Sequence, residues 1–149
     1  MYTLFYLGGI NIGNKRKVYD LIVHLCKEGD KHVENGQTSK AIESYITALE
    51  LVPLPKSDWV TSTWIYTALG DTYVHIGDFE NAKNSFYDAL NCPNGISNPF
   101  ILLRLGESLF ECGELEKAKE YLLRAYMLEG YKIFFNEDDK YIGSILDMI

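Results

Sequence analysis

At 149 residues, 47% hydrophobic and 23% charged, the chain is the size of one domain and long enough to bury a core. Its net charge of -7 falls entirely in residues 61–149, where fourteen Asp/Glu outnumber seven Lys/Arg; residues 1–60 balance at seven of each. Such a surface repels nucleic acid and anionic lipid and favours basic partners. The odd set Cys26, Cys92 and Cys112 has no CxxC spacing, which argues against a disulfide framework or zinc site and for a reducing compartment, here the cytoplasm.

Residues 1–14 open on MYTLFYLGGI, whose short apolar stretch precedes the positive charges of NKRK, the wrong order for a secretory signal. YTLFYL fits a strand, a lid on the first helix or a frayed end. From there, helices are expected at about 15–35, 38–52, 58–76, 79–91, 99–112 and 115–130. No apolar run approaches the ~20 residues that a membrane-spanning helix needs. Between the second and third helices, LVPLPKSD breaks the chain at two prolines and offers Ser57 or Asp58 as an N-cap. Between the fourth and fifth, CPNGISNP holds an Asn-Gly turn, then Asn98 as a cap with Pro99 at the first helical position. In the tail, NEDDKYIGSILDMI, residues Tyr141, Ile142, Ile145, Leu146 and Ile149 form one stripe of a short helix at about 137–148. That stripe would cap the exposed end of the preceding helices; a stripe that docks a partner would look the same.

The chain overlays on itself. ALGDTYVHIGDFENAKNSFYDAL (68–90), shifted forward by 36, places Gly70, Gly77, Ala82, Phe86 and Ala89 on Gly106, Gly113, Ala118, Leu122 and Ala125. Shifted back by 41, it places them on Gly29, Gly36, Ala41, Tyr45 and Ala48. Small residues let two antiparallel helices cross closely, and the second glycine of each copy sits in the turn, where a positive φ is expected. The pattern resembles the tetratricopeptide repeat, a helix–turn–helix unit. Copy two carries Tyr66, Leu69, Gly70, Tyr73, Ala82, Phe86, Ala89 and, one place early, Pro93. Copy three carries Leu102, Leu105, Gly106, Leu109, Ala118, Leu122 and Ala125. Copy one fits at Leu25, Gly29, Ala41, Tyr45, Ala48 and Pro53, but has Glu28 and His32 where apolar residues are expected. The resemblance implies an all-α fold: a right-handed solenoid of three hairpins (about 22–55, 63–96 and 99–131) with a capping helix, in one domain over 15–149. A single hairpin cannot bury its apolar face, whereas three stacked can.

No catalytic constellation emerges. His24, His32 and His75 form neither HExxH nor HxH, and His24 and Cys26, two apart, do not share a helix face. EGDKH and EDDK read as charged helix surfaces and helix starts, and the glycines form no phosphate loop. No catalytic, metal-binding or cofactor-binding residue is assigned, and the chain is read as a protein without enzymatic activity.

What the resemblance implies is binding of another protein in the concave face lined by the first helix of each pair. Its groove positions fall on Val23, Cys26, Lys27, Asp30 and Glu34, then on Trp64, Thr67, Asp71 and His75, then on Phe100, Leu103, Arg104, Glu107 and Glu111. The partner-binding candidates among them are Asp30, Glu34, Trp64, Asp71, His75, Phe100, Arg104, Glu107 and Glu111. The acids outnumber Lys27 and Arg104, so a basic protein or peptide is expected, anchored by Trp64 and Phe100 and steered by charge. Chaperone-binding members of the family hold a peptide carboxylate with several Lys, Arg and Asn, a set absent here. The chain also resembles short free-standing bacterial repeat proteins, notably in LLRAYMLEG followed by NEDDKY. Some of these accompany toxins as immunity partners, which makes a neutraliser of a basic toxin, such as a nuclease, the alternative. Neither reading involves nucleic acid or a membrane; a homo-oligomer is possible but not indicated.

Overall fold

The computed structural model describes residues 12–149. The expectations for YTLFYL fall outside these residues. Among the described residues, six long helices follow in order: α1 (Ile12–Glu34), α2 (Thr38–Leu51), α3 (Val60–His75), α4 (Phe79–Leu90), α5 (Pro99–Glu111) and α6 (Leu115–Glu129). A 3-10 turn (Gly130–Phe134), the short α7 (Asp139–Gly143) and a last 3-10 turn (Leu146–Met148) complete the chain. The dominant helix contacts are α1 with α2, α3 with α4 and α5 with α6; α2 meets α3 and α4 meets α5. The architecture is an all-α solenoid of three stacked hairpins.

The repeated glycines and their partners explain why the hairpins close. A Cβ added at Gly70 would lie 2.7 Å from Cζ of Phe86. At Gly29 it would meet the ring of Tyr45 at 2.5 Å, and at Gly106 the side chain of Leu122 at 2.7 Å. The bulky residue of the second helix fills the space that the glycine of the first leaves open. Each hairpin then turns in the same way. Gly77 has φ 77°, its N–H donates to the Val74 carbonyl at 3.0 Å, and the Asp78 N–H reaches the Tyr73 carbonyl at 2.9 Å. Gly36 and Gly113 repeat both the positive φ and the paired bonds. This is the Schellman arrangement, which satisfies the last carbonyls of a helix through a left-handed residue.

Each hairpin's core is closed by the next element. Tyr45, Ala48 and Val52 of the first pack with Ile65 and Leu69 of α3. Phe86 and Ala89 of the second pack with Ile101, Leu105 and Leu109 of α5. Leu102, Leu103, Leu122 and Ala125 of the third are covered by Phe134, Tyr141 and Ile145 from the C-terminal segment. Fully burying side chains of this size is worth about 1.5–3 kcal/mol each, so the last hairpin needs its cover.

Three local expectations change. Helix α1 already includes residues 12–14, ahead of the expected start at about 15. Ser57 and Asp58 do not cap α3: Lys56–Asp58 makes a 3-10 turn and the helix begins after Trp59, with no side-chain cap. The tail is not one helix over 137–148. It tightens after Gly143, so the fourfold spacing of the stripe is lost: Tyr141 and Ile145 are buried while Leu146 and Ile149 are exposed. Asn98 does cap α5, accepting from the N–H of Phe100 at 3.0 Å and of Ile101 at 3.3 Å, with Pro99 first in the helix.

Candidate functional site: the face of the first helices

Helices α1, α3 and α5 share one face, and two hollows open on it. The first, about 400 Å³, lies between α1 and α3, with Val23, Cys26, Lys27 and Asp30 on one side and Thr61, Trp64 and Ala68 on the other. The second, about 370 Å³, lies between α3 and the start of α5, with Trp64, Ala68 and Asp71 facing Pro93, Asn94 and Phe100. Trp64 belongs to both and is 59% exposed.

The first hollow has an uncharged floor. Ile22 and Ile65 are buried there, and Tyr45 reaches up from α2 to donate its hydroxyl to Oδ1 of Asp30 at 2.6 Å. Burial, reinforced by Asp30, pushes the Cys26 thiol up to about 11, so it stays protonated and behaves as a small apolar group. The second hollow takes one wall from the loop between α4 and α5. Thr63 ties that loop to α3 by donating its hydroxyl to the Pro93 carbonyl at 2.8 Å. Asn94 adopts φ 64°, and Gly95 passes so close to α4 that an added Cβ would lie 2.1 Å from the Ala89 carbonyl oxygen.

On α5 the face is largely occupied from within. Arg104 reaches Asp71 Oδ1 at 3.2 Å, Glu107 Oε2 at 2.9 Å and Glu137 Oε2 at 3.3 Å, with its guanidinium 5.3 Å above the centre of the Phe100 ring. Glu107 is 1% exposed. Burial pushes its carboxyl up to about 8; Arg104 opposes the shift and Glu137 adds to it. Glu111 accepts the Tyr141 hydroxyl at 2.7 Å and pairs with Lys140, whose hydrogen bond holds its carboxyl below the ordinary range.

The candidate residues therefore divide. Trp64, Phe100, Asp30 and Asp71 line the hollows. Glu34 and His75 are exposed near the ends of α1 and α3, and neither makes an ion pair among the described residues. Arg104, Glu107 and Glu111 join α5 to the C-terminal segment. Leu103, another groove position, is buried in the third core. Tyr19, Tyr45, Ala68 and Asn94 also line the hollows and are not among the groove positions named from the sequence. Tyr19 stands four residues before Val23, on the same helical face, and that spacing could have marked it.

The tetratricopeptide repeat family model matches residues 65–91 and 101–130. No curated protein matches the chain. Among solved structures, the second repeat domain of human RPAP3, in complex with an HSP70 peptide, has a TM-score of 0.66 at 15% identity, covering 88% of this chain and 97% of its own. The first repeat domain of human RPAP3 gives 0.67 at 20% identity, with 85% and 94% covered. The Yersinia enterocolitica type III secretion chaperone SycD, in complex with a peptide of the translocator YopD, gives 0.66 at 21%, with 87% and 92% covered. The family model does not extend to the first hairpin, yet Gly29 meets Tyr45 there as Gly70 meets Phe86. Residues 65–91 and 101–130 thus match the tetratricopeptide repeat, and the chain has the fold of tetratricopeptide-repeat domains.

Proposed function

We propose that this chain is a non-catalytic interaction module that holds a segment of another protein against the face of α1, α3 and α5. The observation that carries this reading is the pair of adjoining hollows with an exposed indole between them. Partly buried aromatic side chains framed by apolar walls are where interfaces concentrate their binding energy. The peptide complexes of the human RPAP3 domain and of SycD support the same reading, since both are similar in fold.

The favoured partner is basic. Asp30 and Glu34 stand on this face against Lys27, while Asp71 pairs with Arg104, which also meets Glu107 and Glu137. A ligand held through its terminal carboxylate would find few cations here. The basic preference rests on fewer acids than the sequence offered, because Glu107 and Glu111 serve the joint with the C-terminal segment.

The test is photo-crosslinking in lysate of the source cells, with a photoreactive residue at position 67, on the wall of the second hollow, and, as control, at position 116, whose side chain is 91% exposed and lies on α6. The expected result is a protein joined at 67 and not at 116, with a yield that falls as salt rises. Equal labelling at both positions would refute the face as the binding site. A salt-indifferent yield would refute the basic partner.

A further inference from the structure

We propose that the hollow between α1 and α3 is a receptor for an arginine side chain of the ligand, held between the Trp64 indole and the Asp30 carboxylate. This rests on the reading of the face as a protein-binding surface and names what that surface reads.

The molecule contains its own template for such a site. Between α3 and α5, Arg104 lies over the Phe100 ring and pairs with Asp71 across the hairpin boundary. The repeat shifts of 36 and 41 carry Phe100 to Trp64, Arg104 to Ala68 and Asp71 to Asp30. Between α1 and α3, then, the aromatic ring and the carboxylate are both kept and the arginine is replaced by a methyl group. A hollow of about 400 Å³, lined by all three of these residues, lies there.

The chemistry of that hollow suits a guanidinium. Tyr45 donates to Oδ1 of Asp30, and no cation pairs with this carboxylate among the described residues. Asp71 has Arg104, and Glu111 on the next layer has Lys140. An indole is the strongest of the aromatic faces for a cation, and a planar guanidinium can stack on it while reaching a carboxylate. The walls are otherwise neutral, with Cys26 a thiol rather than a thiolate. They suit the side chain's methylenes. Lys27 stands exposed on the rim, and its charge makes a paired, well-placed cation preferable to a diffuse one.

The experiment follows the Trp64 indole N–H by NMR during titration with N-acetyl-arginine amide, and with its lysine and citrulline counterparts as probes. The expected result is a saturating shift with arginine, at least tenfold weaker with lysine or citrulline, and at least tenfold weaker again in Asp30→Asn. Ala68→Arg supplies the missing side chain internally. It should raise the melting temperature in an Asp30-dependent way and abolish the response to the arginine probe. Equal responses to arginine and citrulline would overturn the proposal, as would an Asp30→Asn variant that responds as the parent does. Should Ala68→Arg fail to fold, the Asp30→Asn titration still decides. Crosslinking at position 67 that persists while the arginine probe fails leaves the interaction face standing and removes the arginine. The reverse result removes the protein ligand and keeps the site.

Discussion

Glu107 carries the sharpest consequence of a single side chain. A groove position occupied by an acid reads, along the sequence, as part of an acidic surface. In the folded chain that carboxyl is enclosed by Arg104 on its own helix and Glu137, thirty residues further on. Nothing local to residue 107 announces that a later segment will cover it. Its proton is lost near pH 4.5 in the unfolded chain and near 8 in the folded one. Between those values the folded state holds the extra proton, so this group makes stability fall as pH rises from about 4.5 to about 8. Urea midpoints at pH 6 and pH 9 should therefore differ more for the parent than for Glu107→Gln; equal pH dependence in both would contradict the assignment. Gly70 is the opposite case, legible at once because its spacing recurs with Phe86. Gly70→Ala should cost about 1–3 kcal/mol through overpacking against that ring, measured by urea denaturation. Gly77→Ala, strained only in its backbone, should cost about 1–2 kcal/mol.

At the scale of elements, helix positions were readable because apolar periodicity and turn chemistry agree over long stretches. The ends were less so. Ser57 and Asp58 had the right chemistry for a cap, but the chain spends them in a 3-10 turn in which the Asp58 N–H bonds to the Pro55 carbonyl. In the tail, the sequence stripe named Tyr141 and Ile145 correctly as inward-facing and Leu146 and Ile149 not, because the turn tightens after Gly143. Its hydrogen-bonded ends, Glu137 to Arg104 and Tyr141 to Glu111, could not be foreseen from spacing at all. The division has a measurable counterpart. Ile145→Ala should destabilise by about 2–4 kcal/mol and increase binding of an apolar dye, since Ile145 closes the third core. Leu146→Ala, adjacent in sequence but exposed, should stay within about 0.5 kcal/mol.

For the whole molecule, stacked hairpins imply stability that varies along the stack. Helix α5 buries eight of its residues, whereas α1 buries little beyond Ile22 and Gly29 among the described side chains. Nearest-neighbour coupling lets the weakest layer open alone. Hydrogen exchange should therefore be slowest in α5 and considerably faster in α1, with α3 between; uniform protection would mean that the three hairpins unfold as one unit. The placement of acids in residues 61–149 was plain from the sequence, but their use was not, since Lys83 bridges Glu80 and Glu114 and Arg104 bridges three more.

The identical glycine turns within the hairpins leave all variation in length to the connections between them. One margin of the solenoid is thus built to a fixed pattern, while the other, carrying residues 92–98, forms a wall of the second hollow. That margin works like an adjustable rim on a rigid bowl. Residues added at Asn94 would raise the rim, deepening the hollow and changing what it admits, while every glycine crossing beneath kept its place.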